Sequence, residues 1–241
     1  MEWSDEGIVL GVRGHGETGA IADIFTRAHG RHLGFVHGGR SRKIRPILQA
    51  GNHVSVTWRA RLEDHMGHFA VELLTPRAAE AMNDPLALAG LMSLCELGRL
   101  LPERDPHANL YEVAQFVLSF LDDVDVWPQL YVRWELALLD ELGMGLDLGR
   151  CAATGASDGL IYVSPKSGRA VSRDAGAPYA DRMFALPPFL RRGDNRRSDL
   201  SDVGTGLDMT GHFLAQRVFA PDGKDLPEPR QRLRQRIDRA S

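Results

Sequence analysis

Basic side chains are concentrated in residues 24–62, a stretch that contains no aspartate or glutamate. The whole chain carries a formal net charge of −3, so acidic residues elsewhere must offset this positive region. A positive surface attracts polyanions, because lysine and arginine side chains displace the counterions that nucleic-acid phosphates hold. We therefore predict a nucleic-acid-binding surface formed by Arg27, Arg31, Arg40, Arg42, Lys43, Arg45, Arg59 and Arg61.

An ordinary solvated surface is the alternative explanation for these arginines. Such surfaces usually intersperse positive and negative side chains, and residues 24–62 lack the negative ones. Binding of single strands also needs planar side chains on which bases stack, and Phe25, Phe35, Trp58 and Phe69 are available. Alternation of apolar and polar residues nevertheless places Trp58 on the core face of its strand.

A glycine-rich segment, Gly14-x-Gly16-x-x-Gly19, has the spacing of a dinucleotide-binding loop. Only about ten residues separate Gly19 from Gly30, which is too few for the helix of a crossover unit, and the expected acidic residue further on is absent. A glycine-rich hairpin turn explains the segment better. A small NADP-dependent oxidoreductase is kept as the alternative function.

The chain offers little else for catalysis or metal binding. It has no nucleophile elbow, zinc-protease motif or phosphate-binding loop, and the basic stretch has no carboxylates to hold Mg²⁺ for nuclease chemistry. Cys95 and Cys151 are the only cysteines, and Cys151-Ala-Ala-Thr154 lacks the second thiol of a zinc knuckle, which needs four ligands in all. We predict no enzymatic activity, no cofactor and no bound metal.

The composition is that of a folded protein of the cytoplasm. The chain has 241 residues, of which 43% are hydrophobic, enough for one large or two modest domains. Two cysteines do not make a disulfide framework, and the N-terminus does not resemble a signal peptide. No apolar run approaches the length of about 18 residues that spans a membrane.

The first 75 residues have the pattern of short strands separated by glycine turns. Residues 53–62 alternate strictly between apolar and polar, which predicts a half-buried strand with a basic outer face. Further strands are predicted at residues 8–12, 20–26, 32–37 and 68–74. Five short strands of this kind fit a small closed barrel, of which the oligonucleotide-binding OB-fold is the commonest example.

After residue 75 the pattern becomes helical, so we predict two domains, 1–75 and 76–241. Asp84 followed by Pro85 predicts the start of a helix that ends before Pro102. Further helices are predicted at residues 108–121, 127–142 and 200–219, with an irregular insert at about residues 150–180. The predicted fold class is α+β, with a small β-barrel followed by an α-helical domain.

Several short motifs, taken in order, resemble the RecO family of bacterial DNA repair proteins, which are recombination mediators. The resemblance runs from about residue 6 to residue 235, and it is the order and spacing of the motifs that make it specific. The motifs are Glu17-Thr18, Phe25-Thr-Arg27, Gly30-Arg31, Gly38-Gly-Arg-Ser-Arg-Lys43, Leu48-Gln49, Arg133-Trp-Glu-Leu-Ala-Leu-Leu139, Leu142-Gly143 and Cys151.

The resemblance implies an N-terminal OB-fold and a C-terminal helical domain. In many members two Cys-x-x-Cys pairs of the second domain hold zinc. Here Thr154, Ser172 and Ala175 stand where three of those cysteines would be. The insert is therefore expected to be a degenerate zinc ribbon without metal.

The resemblance also implies a non-catalytic protein of the nucleoid that binds single- and double-stranded DNA and anneals complementary strands. With RecR, it would help to load a RecA-type recombinase onto strands coated by single-stranded DNA-binding protein. The C-terminal tail of that coat protein is acidic and ends in apolar residues, so its site should combine an arginine with an apolar groove. Arg133, Trp134 and Leu138 resemble the family segment that contributes to this site.

Two alternatives remain open from the sequence. Trp134 and Leu138 could belong simply to the core of the helical domain. The OB-fold could also serve as an adaptor that binds only proteins.

Overall fold

The computed structural model describes residues 1–62, 64–194 and 196–241, which divide into two units, Met1–Asp122 and Asp123–Ser241. The first unit contains the predicted strands together with the helices that follow them. The division into domains 1–75 and 76–241 stays a prediction. No helix within the described residues is long and apolar enough to cross a membrane.

Five strands of the first unit form a closed barrel in the order β1-β2-β3-β5-β4. Neighbouring strands are antiparallel, except that β3 and β5 run parallel and pair at Phe35 and His68. The predicted α+β class and the small OB-like barrel are confirmed. The strands are β1 (Glu2–His15), β2 (Gly19–Thr26), β3 (Gly30–Val36), β4 (His53–Arg59) and β5 (His68–Thr75).

Three helices follow the barrel in the first unit: α1 (Arg77–Ala81), α2 (Pro85–Gly98) and α3 (Ala108–Ser119). The predicted start of α2 is confirmed, because the Asp84 carboxylate accepts hydrogen bonds from the backbone N–H groups of Leu86 at 2.7 Å and Ala87 at 3.4 Å. Gly51 lies where the barrel approaches α2. Its φ is +93°, and a Cβ there would lie 2.4 Å from Leu91, so only glycine fits.

The core of the barrel follows from the alternation in its strands. In β4, Val54, Val56 and Trp58 are at most 1% exposed, whereas Arg59 is exposed. β2 is buried along its whole length. Helix α3 covers part of the outer face of β2, where the rings of Phe25 and Tyr111 lie 5.4 Å apart.

The second unit contains helices and a small sheet. Its α-helices are α4 (Trp127–Glu141), α5 (Arg173–Gly176), α6 (Leu200–Phe213) and α7 (Glu228–Ala240), with a π-helical turn (Leu214–Phe219) after α6 and 3-10 turns at Ala177–Arg182, Pro188–Leu190 and Ala220–Asp222. Strands β6 (Leu160–Val163), β7 (Ala170–Ser172) and β8 (Phe184–Ala185) form a sheet of order β7-β6-β8. The insert is therefore more regular than predicted, because strands this short show no clear period in a sequence.

A buried ion pair joins α4 to α7, and a hydrogen bond to its carboxylate adds α6, so three helices of the second unit are linked. Glu135 of α4 and Arg230 of α7 are 0% and 2% exposed, and Nη2 of Arg230 donates to Oε2 of Glu135 at 3.0 Å. The hydroxyl of Thr210 in α6 also donates to Glu135. Helix α7 has no clear apolar period in the sequence and was not expected, because its buried positions Leu233 and Ile237 lie among arginines.

Candidate nucleic-acid interface

The loop between β3 and β4, residues 37–52, is the basic loop. Its cations are Arg40, Arg42, Lys43 and Arg45. The last three are exposed, and among the described residues their charged groups have neither an ion pair nor a hydrogen bond. The guanidinium of Arg40 donates to the carbonyl oxygens of Gly16 at 3.3 Å and Glu17 at 3.2 Å. These bonds fix its position but leave its charge uncompensated, so the basic loop carries four cations able to bind phosphates.

The basic loop is anchored to the barrel. Leu48 is 2% exposed, and Ile44 and Ile47 pack against the barrel core. At the start of the loop, the N–H of Ser41 donates to the carbonyl oxygen of Gly38 at 2.8 Å, and the hydroxyl oxygen of Ser41 accepts from the N–H of Ile44 at 3.2 Å. A loop held in this way displays its charges without a large loss of backbone entropy on binding.

Arg31 is a structural residue rather than a free cation. Its Nε and Nη2 atoms each donate to the carboxylate of Asp23 at 2.9 Å, and its Nη1 donates to the carbonyl oxygen of Leu101 at 3.1 Å. Only 16% of the side chain is exposed. The ion pair with Asp23 joins β2 to β3, and a contact between Arg31 and DNA stays a prediction.

Arg27 and Arg59 are exposed but paired, with Glu112 at 2.6 Å and Glu2 at 2.9 Å respectively. Exposed pairs contribute only about 0–1 kcal/mol, so a phosphate can compete for these arginines. Arg61 is exposed and has no ion pair in the part of the chain that the structure describes. Residues 24–62 thus lack carboxylates along the sequence, but Glu112 and Glu2, from outside this range, pair with two of its arginines in space.

Most of the aromatic residues proposed for base stacking lie in the core. Phe25 and Trp58 are each 1% exposed and Phe69 is 4% exposed. The indole N–H of Trp58 donates to the carbonyl oxygen of Met66 at 2.9 Å, which fixes the ring inside the barrel. The expected core position of Trp58 is confirmed, and these three rings offer no face to a base.

Phe35 differs, because it is half-buried and three exposed histidines surround it. The ring centroids of His15, His37 and His68 lie 5.7, 4.8 and 5.7 Å from that of Phe35. These four residues form the ring cluster. Sequence reasoning missed it because its members come from the ends of three strands, and only the strand pairing brings them together.

The ring cluster and the basic loop lie at the same end of the barrel. The Phe35 ring rests on the backbone of β2, where a Cβ on Gly19 would lie 2.4 Å from it. In the adjoining turn, the carbonyl oxygen of Thr18 accepts from the backbone N–H of Arg40 at 3.0 Å. Planar rings and uncompensated cations are thus neighbours, as a single-stranded nucleic acid requires.

The glycine-rich segment is a hairpin turn. Gly14 pairs with Ala20 and His15 with Gly19 in the antiparallel ladder of β1 and β2, and Gly16 has a φ of +63° in the turn. A dinucleotide-binding loop leads from a strand into a helix, whereas this segment leads into the next antiparallel strand. The hairpin interpretation is confirmed.

Two family models together match most of the chain. The model of Recombination protein O N terminal matches residues 1–77, and that of Recombination protein O C terminal matches residues 82–226. The chain belongs to the RecO family. The resemblance indicated by the short sequence motifs is thereby confirmed.

Named relatives in the RecO family are similar over nearly the whole chain. The DNA repair protein RecO of Methylorubrum populi is 56% identical over 238 residues, which make up 97% of this chain and 97% of the relative. That of Mesorhizobium japonicum is 53% identical over 230 residues, 95% and 91% of the two chains. That of Brucella abortus is 49% identical over 240 residues, 100% and 97%. The RecO family comprises non-catalytic mediators of recombination in DNA repair, so the comparisons do not favour the oxidoreductase.

The insert brings together Cys151, Thr154 and Ser172, three of the residues that the resemblance predicts at zinc-ligand positions. The N–H of Ser172 donates to Sγ of Cys151 at 3.2 Å, and the hydroxyl of Ser172 lies 3.4 Å from the same sulfur. Burial alone would raise the pKa of Cys151, but hydrogen bonds from Ser172 and Thr154 outweigh it and lower the pKa to about 6. One thiol and two hydroxyls do not make a tetrahedral zinc site. Among the described residues, no group of three or more His, Cys, Asp and Glu side chains could hold a metal ion.

We expect elemental analysis of the purified protein to find no stoichiometric zinc. Replacement of Cys151 by serine should lower the free energy of unfolding by only about 1 kcal/mol, because it alters hydrogen bonds and removes no metal ligand set. The wild-type Tm should be the same with and without EDTA. A Tm that falls by several degrees in EDTA would show that other residues hold a structural metal.

The residues predicted to bind the acidic tail lie on α4. Trp134 and Leu138 are 1% and 0% exposed, so they belong to the core of the second unit, as the alternative interpretation held. Arg133 is exposed, and its guanidinium donates to the carbonyl oxygen of Phe189. Because Trp134 and Leu138 are buried, they form no apolar groove at the surface. A contact between Arg133 and a partner stays a prediction.

Proposed function

We propose that the chain binds single- and double-stranded DNA through the barrel end that carries the basic loop and the ring cluster. The observation that carries this proposal is the group of uncompensated cations at Arg40, Arg42, Lys43 and Arg45. Cations with no carboxylate partner gain most from a phosphate, because no existing ion pair has to be broken.

The ring cluster distinguishes single strands from duplexes. Bases in a duplex are already stacked on each other, so only an unpaired strand can place a base against Phe35 or a neighbouring histidine. The cations can bind the phosphates of either form. We therefore infer binding to both forms, with the additional stacking contacts available only to single strands.

This mode of binding is compatible with strand annealing. Contacts to phosphates and to base faces leave the hydrogen-bonding edges of the bases free to find a complementary strand. Within the cytoplasm, at the nucleoid, we infer that the protein anneals strands. With RecR, it helps to load a RecA-type recombinase onto DNA coated by single-stranded DNA-binding protein. Simultaneous contacts to the DNA and to its coat would raise the local concentration of each for the other.

Titration of a labelled oligothymidylate at several NaCl concentrations tests the DNA-binding proposal. If about four phosphates are neutralised, a plot of log K against log salt should have a slope of roughly −3. The same titration with a duplex should show weaker binding, since the stacking contacts are lost. A slope near zero, or no binding at any salt concentration, would favour the adaptor that binds only proteins.

A further inference from the structure

A second concave site of the first unit, the aromatic pocket, lies between the start of β1, the turn from β2 to β3 and the segment between α2 and α3. Its lining includes Trp3, His29, His32 and Arg104. Its volume is about 440 Å³, and sites for small molecules occupy roughly 300–1,000 Å³. None of the described residues that line it belongs to the basic loop or to the ring cluster.

His32 brings an unused hydrogen-bond acceptor to the aromatic pocket. The residue is 4% exposed, and its Nδ1 donates to the carbonyl oxygen of Leu33 at 3.0 Å. Burial lowers the pKa of His32, so at pH 7 the ring is neutral and Nε2 is an acceptor. Among the described residues, Nε2 has no hydrogen-bond partner. Because a buried acceptor without a partner is unfavourable, a molecule in the pocket gains by donating to it.

Trp3 and His29 form an aromatic wall whose position is fixed. Their ring centroids lie 4.0 Å apart, and the planes are 6° from parallel. One carboxylate oxygen of Asp5 accepts from Nδ1 of His29 at 3.1 Å and from the backbone N–H of Ala28 at 2.8 Å. The ring centroid of Trp3 is also 5.3 Å from that of His32. A planar molecule that donates to His32 therefore finds an aromatic surface beside it.

Another wall of the aromatic pocket is held in a strained conformation. Arg104 has a φ of +65°, the only positive value among the described residues other than glycine. Its backbone N–H donates to the carbonyl oxygen of Arg31 at 2.7 Å, and its guanidinium donates to that of His65 at 2.8 Å. A Cβ on Gly30 would clash with the backbone of Asp105, so the turn from β2 to β3 packs directly against this wall. Such strain persists where the surroundings fix it, and it is common at ligand sites.

We propose that the aromatic pocket binds a free nucleoside whose base carries an amino group, such as adenosine. The amino group donates to Nε2 of His32, and the planar base lies against Trp3. A base with a carbonyl oxygen at that position would instead oppose one acceptor with another. The cations of the basic loop do not line the pocket, so the ligand is held through its base and not through a chain of phosphates. The proposal goes beyond DNA binding and does not rest on it.

The test is calorimetric titration of the full chain with adenosine and with purine riboside, which differs only by lacking the amino group. Adenosine should bind about tenfold more tightly, because only its base donates to Nε2 of His32. His32→Phe keeps a ring and removes the acceptor. It should lower the affinity for adenosine to that for purine riboside and leave the latter unchanged. The four affinities together isolate the single contact between the amino group and His32.

A second variant tests the aromatic wall independently. His29→Ala, at a side chain that is 34% exposed, should weaken both nucleosides about fivefold, because it removes a stacked ring that both of them use. The control is His212→Phe in the second unit, which should leave both affinities unchanged. The histidine of this control is also half-buried, and its Nε2 lies 3.2 Å from the carbonyl oxygen of Pro165.

Three results would overturn the proposal. The first is that the wild type binds neither nucleoside at millimolar concentration. The second is that it binds the two equally, which decides the matter even if His32→Phe fails to fold. The third comes from competition, because oligodeoxyadenylate should not displace adenosine. Displacement would mean that the base in the pocket belongs to a nucleic-acid strand and not to a free nucleoside.

Discussion

Replacing Arg42, Lys43 and Arg45 together by alanine is expected to lower the affinity for oligothymidylate about fiftyfold at about 0.15 M salt. Each phosphate contact with a single strand contributes a slope of about −0.7 in log K against log salt, which corresponds to roughly 0.6 log units at that salt concentration. Three lost contacts therefore give a loss of about 50-fold and make the slope shallower by about 2. Titration of wild type and variant across a salt series measures both quantities.

The matched control for this variant is Arg59→Ala. Arg59 is exposed, like the cations of the basic loop, but it is already paired with Glu2 at 2.9 Å. Its removal should change the affinity for DNA by less than about threefold. All three substituted residues of the basic loop are exposed, so the thermal unfolding of the triple variant should match that of the wild type. An unchanged salt slope in a well-folded triple variant would place the DNA on another face.

The second large effect is expected on stability. Arg230→Ala should lower the free energy of unfolding of the second unit by about 3–5 kcal/mol, because it leaves the carboxylate of Glu135 buried and unpaired. Arg230 also donates to the carbonyl oxygen of Leu207 at 2.7 Å, so that acceptor loses its partner as well. Urea unfolding followed by circular dichroism measures the change.

Arg234→Ala is the control on the same helix. Arg234 pairs with Asp208 at 2.7 and 2.8 Å, but its side chain is 24% exposed and that of Asp208 is 53% exposed. Its loss should cost only about 1 kcal/mol. Replacing Glu135 by Leu in the Arg230→Met background should recover part of the stability, since no charge is then buried. Equal losses for Arg230→Ala and Arg234→Ala would mean that the buried pair has no special role.

Much of the barrel could be predicted from the sequence because strands such as β4 carry their own alternating pattern. The alternation in residues 53–62 places Val54, Val56 and Trp58 in the core without any knowledge of the neighbouring strands. The residues that start α2 are equally local signals, because Asp84 and Pro85 act on the backbone of the first helical turn. Local signals of this kind survive in a single sequence.

Whether each arginine is paired or buried could not be predicted in the same way. Arg59 meets Glu2 only because β1 pairs with β4, and Arg27 meets Glu112 only because α3 lies near the end of β2. Both partners are far away in the sequence, so a count of charges along residues 24–62 misses them. The burial of Arg230 is harder still to predict, because arginine is rarely fully buried and its partner Glu135 is 95 residues away.

The barrel is closed by the pairing of β3 with β5, the shortest strand pairing among its described residues. We call this pairing the seam, and it lies at the ring cluster. Among the residues that the structure describes, β3 and β5 pair at one position, Phe35 with His68, whereas β2 and β3 pair at seven successive positions. Transient separation of β3 from β5 breaks few backbone hydrogen bonds, so this seam is where local opening of the barrel costs least. Under the proposed function, a base that stacks on Phe35 contacts the closed barrel, so DNA binding is expected to suppress this opening by mass action. We therefore expect added oligothymidylate to slow amide hydrogen exchange along the seam, which hydrogen-exchange measurements with and without DNA would show.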